Sequence, residues 1–323
     1  MLVGAVISPH RGRGDESYPS ISVAARGRVY FFLHRASVAT QTEREWQTTQ
    51  VAKIENLGST QSLLILPLVE AAASGPAFQA EHGVSYLVKT DKATILFDLG
   101  MNASATNPSP LQANMQQLGV GEDDFQILVI SHDHPDHTGG VQWWRTHTFS
   151  LGNQQTDLSA KVVYVPAPLS YPGLTPVVTK QPAKIAEGVA TLGGIPFVEV
   201  WQMALFREHN VEQALAVNVA DTGIILITGC GHQTLPKLIA RAEALFDVPI
   251  TGIVGGLHLG NATAQELAPS IRLLQTLQPR LVALSPHDSG ETPRQALRAA
   301  FPGVYQDILV GQPIGVGVDH SSQ

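Results

Sequence analysis

The chain has 323 residues, 44% hydrophobic and 15% charged, with a formal charge of −7. That length can bury a sizeable core, and the composition is that of a folded globular protein and not a disordered one. The acidic balance and the lack of a Lys/Arg-rich run leave no electrostatic footprint for nucleic acid, and no apolar stretch approaches the ~18 residues of a membrane span. Cys230 is the single cysteine, so an intrachain disulfide is excluded and a reducing, cytoplasmic location is expected. Residues 1–10 contain a short apolar run with no preceding basic residues, so no secretory signal is expected. The expected partner is a small-molecule substrate, with neither nucleic acid nor membrane; a homo-oligomer is left open.

Residues 1–50 carry scattered Gly, Arg, Ser and Thr with one apolar patch at 29–33. They read as an N-terminal extension, disordered or loosely docked, with a small accessory element or a misplaced start as alternatives. Residues 51–323 read as one domain. From Gln61 onward, apolar runs alternate with helical patterns at the rhythm of α/β architecture. Strands are expected over 84–88, 94–97, 127–130, 224–228, 250–254 and 281–284. Helices are expected over 111–118, 139–147, 235–246, 264–277 and 293–301. Within the third of these, Leu235, Leu238, Ile239, Ala242 and Leu245 recur at helical spacing, which puts an apolar stripe against a sheet. Residues 177–197 are rich in Pro and Gly and read as a substrate-side loop or hairpin region.

Directly after the run 127–130 comes Ser-His-Asp-His-Pro-Asp-His-Thr-Gly-Gly, residues 131–140. Three histidines and two aspartates fall within six positions on the turn leaving a strand, where a rigid sheet can aim side chains at one point. Imidazole and carboxylate are the ligand types that suit zinc, iron and manganese. His132 and His134 alternate around Asp133, so their rings can face one way, while Asp136 and His137 follow Pro135 and can face a second ion. The same signature recurs along the chain. His232 follows 224–228 through Gly229, Cys230 and Gly231, and His258 follows 250–254 across Gly255 and Gly256. His287 follows 281–284 through Ser285 and Pro286, and Asp98 follows 94–97. One such histidine would more often be a core or capping residue. Repeated at five strand ends, the pattern predicts convergence beyond the ends of a sheet.

The His-x-His-x-Asp-His run resembles that of the metallo-β-lactamase-fold hydrolases. The likeness extends over roughly residues 60–315 through Glu81-His82-Gly83-Val84-Ser85, Ile95-Leu96-Phe97-Asp98-Leu99-Gly100, Glu212-Gln213-Ala214-Leu215, Gly229-Cys230-Gly231-His232, Gly255-Gly256-Leu257-His258-Leu259 and Pro286-His287. The Gly-Cys-Gly-His and Gly-Gly-Leu-His-Leu pair is similar to one branch, the 7,8-dihydropterin-6-methyl-4-(β-D-ribofuranosyl)aminobenzene-5′-phosphate synthases and their relatives. The resemblance implies an αββα sandwich, two mixed sheets flanked by helices. It also implies two divalent metal ions, zinc foremost, with manganese or iron as alternatives.

On this reading His132, His134 and His232 hold one ion, and Asp136, His137 and His287 the other. The wider superfamily places a histidine before the next motif and a bridging aspartate where Cys230 falls. The nearest upstream histidine here, His209, reads as loop, so His232 stands in for it, and Cys230 is either a bridging thiolate or a small buried residue. Asp98 is expected behind the ligands, accepting a hydrogen bond that orients an imidazole. Glu81 and His82 either reach the pocket edge or form a polar turn. Asp136 and His258 are the candidate catalytic residues. His258 follows two glycines that permit close approach, and is open to three roles: proton donor to the leaving group, metal ligand, or structural residue. After His287 the family has Cys and Thr where this chain has Asp288 and Ser289, and an added carboxylate bears on metal preference and on anionic substrates.

The expected function is dinuclear-metal-dependent hydrolysis, a metal-activated hydroxide attacking a phosphoester, phosphoanhydride or related ester. The phosphate preference is implied by the branch, whose named reaction displaces diphosphate from a dihydropterin. A synthase of that branch and a non-hydrolytic metal-binding sensor are the alternatives. No Walker-type loop and no Gly-x-Gly-x-x-Gly motif is present to cradle phosphate.

Overall fold

Alternation along single strands explains why this chain stacks in four layers. In the strand Gly223–Thr228 (β12), Ile224 and Leu226 point into one core, while Ile225 and Ile227 point into another. In Thr94–Phe97 (β3), Ile95 and Phe97 enter the second of those cores and Leu96 enters a third. Successive side chains leave opposite faces of a strand, so a sheet apolar on both faces needs cover on both. The computed structural model, which describes residues 23–199 and 210–317, meets that need with two sheets packed face to face and helices outside each.

The first sheet comprises β1 (Leu63–Val69), β2 (Ser85–Thr90), β3, β4 (Ile127–Val129), β5 (Val162–Val165), β6 (Val177–Val178) and β15 (Ile314–Val316), in the order β15-β1-β2-β3-β4-β5-β6. The second comprises β7 (Ala183–Ala186), β8 (Val189–Thr191), β11 (Leu215–Val219), β12, β13 (Ile250–Gly255) and β14 (Leu281–Leu284), in the order β14-β13-β12-β11-β8-β7. A two-stranded ribbon joins β9 (Ile195–Phe197) to β10 (Asn210–Glu212). Both sheets are mixed. β3, β4 and β5 run parallel in one, and β12, β13 and β14 in the other. Parallel neighbours end at the same edge, so the turns carrying Asp98 and His132, and those carrying His232, His258 and His287, leave together.

The helices lie where apolar periodicity places them: α2 (Pro110–Gln117), α3 (Val141–Arg145), α4 (Leu235–Leu245), α5 (Ala264–Thr276) and α6 (Glu291–Ala300). The α4 stripe Leu235, Leu238, Ile239, Ala242 and Leu245 is buried against the outer face of the second sheet. α2 and α5 open on reciprocal caps, Ser109 with Gln112 and Thr263 with Glu266, which satisfy amide groups that the first turn leaves orphaned. No described helix is long and apolar enough to cross a membrane.

In two regions the structure selects among the alternatives that composition left open. Residues 23–48 form a helix, α1 (Val23–Thr48), where composition favoured a disordered or loosely docked extension and left a small accessory element as an alternative; residues 1–22 lie outside the described residues. Its anchor is not an apolar stripe, the only feature periodicity detects. Lys237 and Arg241 of α4 lie over the Trp46 ring at 5.5 and 5.1 Å, and Lys237 pairs with Glu43 at 2.7 Å. Residues 177–197, read as a loop or hairpin region, carry β6 to β9, with β7 and β8 forming an antiparallel hairpin and β8 internal between β7 and β11.

Gln213 ties the two sheets together directly below the histidine turn. Its side-chain oxygen accepts from Thr179 beyond β6 at 2.6 Å and from Thr191 of β8 at 2.5 Å, while its amide nitrogen donates to the Ile130 carbonyl at 2.8 Å. Gln213→Ala leaves the buried Thr191 hydroxyl without an acceptor and removes a donor from the Ile130 carbonyl, while Thr179 keeps the Val165 carbonyl. A loss on the order of 3 kcal/mol is expected in urea unfolding of the metal-free protein.

Candidate metal centre

The turn after β4 is braced before any side chain reaches outward. The His134 amide donates to the His132 carbonyl and the His137 amide to that of His134, while Trp144 Nε1 holds the Asp133 carbonyl at 3.0 Å. Asp98, one residue past β3 and in left-handed backbone (φ 62°), faces this turn from behind. Its Oδ1 accepts the Ser131 amide at 2.6 Å; its Oδ2 accepts the Ser131 hydroxyl at 2.6 Å and lies 2.7 Å from His137 Nδ1. The Ser131 hydroxyl is also 2.8 Å from His132 Nδ1. Because that hydroxyl gives its proton to Asp98, it accepts from His132 Nδ1–H. Both imidazoles therefore carry the proton on Nδ1 and present the Nε2 lone pair forward.

Two other turns are held the same way. Glu212, at the end of β10, accepts the amides of Cys230 at 3.0 Å, Gly231 at 2.9 Å and His232 at 2.7 Å. Gly231 takes φ 77°, and a Cβ there would sit 2.5 Å from the Gly256 carbonyl oxygen, so the two turns can touch only through glycine. Glu70 ends β1 and is fully buried. It accepts from Tyr86 and Ser285 at 2.5 Å each and from the His287 amide at 3.2 Å. Burial pushes its carboxyl up to about 7.

These turns bring the candidate ligands into two groups. His132, His134 and His232 place one ring nitrogen each within 4.8 Å of one another, and Asp136, His137, Cys230 and His287 do the same with their nitrogen, oxygen and sulfur atoms. Within the second group Cys230 Sγ is 3.1 Å from His137 Nε2 and 3.2 Å from His287 Nε2, and Asp136 Oδ2 is 3.3 Å from His287 Nε2. Cys230 is thus a neighbour of both histidines and not merely a filler beside them. The donor sets fit divalent transition metals, three imidazoles in one and carboxylate, thiol and two imidazoles in the other. The Nε2 atoms of His132 and His232 are buried without a hydrogen-bond partner in the protein, a state that costs free energy unless something accepts the lone pair.

The electrostatics agree with that donor role at His132 and His287 but not at His137. There burial alone would lower the imidazole, but Asp98 and Asp136 outweigh it and raise it to about 9, so that an ion must displace a proton. Burial, and then the neighbouring imidazoles, holds His132 well below the usual histidine range, so it is neutral at pH 7 as a ligand must be. Burial, followed by His137, brings His287 down to about 3. Burial alone would raise Asp136, but His137, His287, His134 and His82 outweigh it and bring the carboxyl down to about 2. Burial, then Asp136 and the other carboxylates, pushes the Cys230 thiol well up. Only a bound cation would make it a thiolate.

The remaining candidates sit around the groups. His82 lines the cavity, its Nε2 3.5 Å from Asp136 Oδ2 and its ring 4.2 Å from that of His287, whereas Glu81 turns away to accept the amides of Met101, Asn102 and Ala103. His258 belongs to neither group and instead joins Glu199 and His232 at the mouth, its ring 4.3 Å from that of His232. Asp288 spends its oxygens locally, accepting the His258 amide at 2.6 Å and the Ser289 hydroxyl at 2.9 Å. His209 lies outside the described residues. Sequence reading passed over Glu70, Ser131, Glu199 and Ser285. Glu70 carried a usable signal, an acid closing an apolar strand as Asp98 does.

Residues 79–149 match the model of the Metallo-beta-lactamase superfamily. Those residues carry the signature of that superfamily. The chain is 24% identical over 262 residues to the 7,8-dihydropterin-6-methyl-4-(β-D-ribofuranosyl)-aminobenzene-5′-phosphate synthase of Methanocaldococcus jannaschii, covering 69% of this chain and 86% of that protein. It is 26% identical over 199 residues to an uncharacterized protein of the same organism, covering 56% of this chain and 74% of the other. The solved structure of Tm1679, described as a metal-dependent hydrolase of the β-lactamase superfamily, superposes with a TM-score of 0.56 at 20% identity, over 78% of this chain and 98% of that one. The architecture is therefore that of the metallo-β-lactamase fold, two mixed sheets with helices outside.

The geometry separates two kinds of variant. His134→Ala deletes a donor of the first group and is expected to abolish binding of one ion. Asp98→Asn keeps every donor but disturbs two ring orientations, and a ~10–100-fold loss of metal affinity is expected. Competition with a chromophoric chelator reads both. In cobalt-substituted protein a thiolate-to-metal charge-transfer band is expected and should vanish in Cys230→Ser; its absence from the unsubstituted chain would remove Cys230 from the donor set.

Proposed function

We propose that the chain is a dinuclear-metal-dependent hydrolase of a small phosphoester, phosphoanhydride or related ester. The observation that carries this reading is that both ligand groups open on one cavity of about 490 Å³, lined by His82, Asp136, Cys230, His232, His258 and His287 among others. A substrate bound there meets both groups at once. His132, His134 and His232 would hold one divalent ion, and Asp136, His137 and His287, with Cys230 beside them, the other. Ions so held supply a water of near-neutral pKa and polarise the scissile group.

The chain's own residues supply orientation and proton handling. Asp98, acting directly on His137 and through Ser131 on His132, aims ligands of both groups from one carboxylate. His82 closes the cavity on the side of Asp136. His258 stands at the mouth in left-handed backbone (φ 52°), a conformation that β-carbon sterics disfavour and that the Asp288 carboxylate holds through the His258 amide. From there it can hand a proton to a departing alkoxide. Burial, and then His232, keeps its pKa below the usual imidazole range, which makes it a stronger acid when protonated and leaves it mostly neutral at pH 7.

The likeness to the Methanocaldococcus jannaschii synthase supports a second reading, in which a dihydropterin is the substrate. Metal-loaded protein assayed against phosphodiester, lactone and pterin substrates decides between them. Turnover of a phosphodiester that chelation abolishes is expected. Turnover of the pterin alone would favour the second reading, and metal binding with no turnover would favour a sensor. His258→Ala should retain both ions and lose roughly 10²–10⁴-fold in rate on substrates with poor leaving groups, while a nitrophenyl ester, which needs no proton, is hydrolysed almost as before. Loss of an ion in that variant would make His258 a ligand.

A further inference from the structure

Phe197 and Glu199, two residues apart at the exit of β9, both address His232. The Phe197 ring stacks on the imidazole with centroids 4.6 Å apart and planes 10° from parallel, and it meets His132 and His134 edge-on at 6.2 and 6.0 Å. Glu199 Oε2 lies 3.3 Å from His232 Nδ1, and the imidazole side chain is only 6% exposed. The other ring nitrogen, Nε2, is buried, has no hydrogen-bond partner in the protein and faces the group formed with His132 and His134. Glu212 already holds the His232 amide, so backbone and ring are gripped by different carboxylates.

We propose that Glu199 is a positioning residue for His232. A neutral imidazole has one N–H. If that proton sits on Nδ1 and is donated to Glu199, the lone pair is confined to Nε2 and the ring becomes a stronger donor. Stacking on Phe197 fixes the ring plane, and the carboxylate fixes its rotation within that plane. The first metal position is then completed by a strand that contributes no ligand of its own, and its affinity depends on where β9 ends. This rests on reading His132, His134 and His232 as a metal position. The competing arrangement is a separate ion held by Glu199, His232 and His258, whose donor atoms also lie within 4.8 Å of one another.

Metal-stripped wild-type, E199Q and E199A proteins, titrated with cobalt(II) and zinc(II) against a chromophoric chelator, test the assignment. Two binding steps are expected in the wild type. E199A should weaken one of them by ~10–100-fold and leave the other intact. E199Q, which keeps an acceptor oxygen of the same reach without the charge, should recover part of that loss. The cobalt ligand-field absorption of the weakened step should change, while the melting temperatures of the three metal-free proteins agree. Wild-type affinity for both ions in E199A overturns the assignment, as does a fall in metal-free melting temperature that accounts for the weaker binding. A third cobalt in the wild type, lost in both E199A and H258A, makes Glu199 a ligand instead. A wild-type protein that binds no cobalt overturns the metal centre itself, a result distinct from unchanged binding in E199A.

Discussion

The Asp98 carboxylate lies where the two candidate metal groups meet, and its oxygens are shared among the Ser131 amide, the Ser131 hydroxyl and the His137 ring. A buried carboxylate with unmet hydrogen-bonding capacity would be costly. Here three donors surround it, and one of them relays the interaction to His132. The tautomers of two histidines in different groups therefore follow from a single acid. Asp98 adopts left-handed backbone to reach them, a local strain that the surrounding bonds offset.

The same device operates under the other turns. Glu212 collects three successive amides of the turn after β12, and Glu70 accepts the His287 amide together with two hydroxyls. Each acid comes from a strand other than the one whose turn it holds. Ligand side chains are thus aimed by carboxylates that hold backbone amides or the rear ring nitrogen and contribute no donor to either group.

How much of the centre was legible depended on whether its logic is local. His132, His134, Asp136 and His137 fall in one turn, so their spacing announced them. Asp98 was legible as an acid closing an apolar strand. Glu70 has the same signature, but its partners Tyr86, Ser285 and His287 lie on β2 and beyond β14, and nothing near Glu70 points to them. Glu199 follows a three-residue strand too short for periodicity to mark, and its partner His232 is 33 positions away. The α1 helix escaped for a related reason, since it docks through Trp46 and charged groups and not through an apolar stripe.

The sequence by itself determined six central strands, the amphipathic helices and the candidate donor side chains at the strand ends, because these rest on periodicity and on chemistry carried by neighbouring residues. Only the tertiary structure decided that Cys230 joins the second group, which nitrogen each imidazole presents, and that His258 and Glu199 belong to the mouth. Those properties depend on distances between residues as much as 217 positions apart, such as Glu70 and His287. Such distances exist only once parallel strands have carried their ends to a common edge and the two sheets have packed face to face.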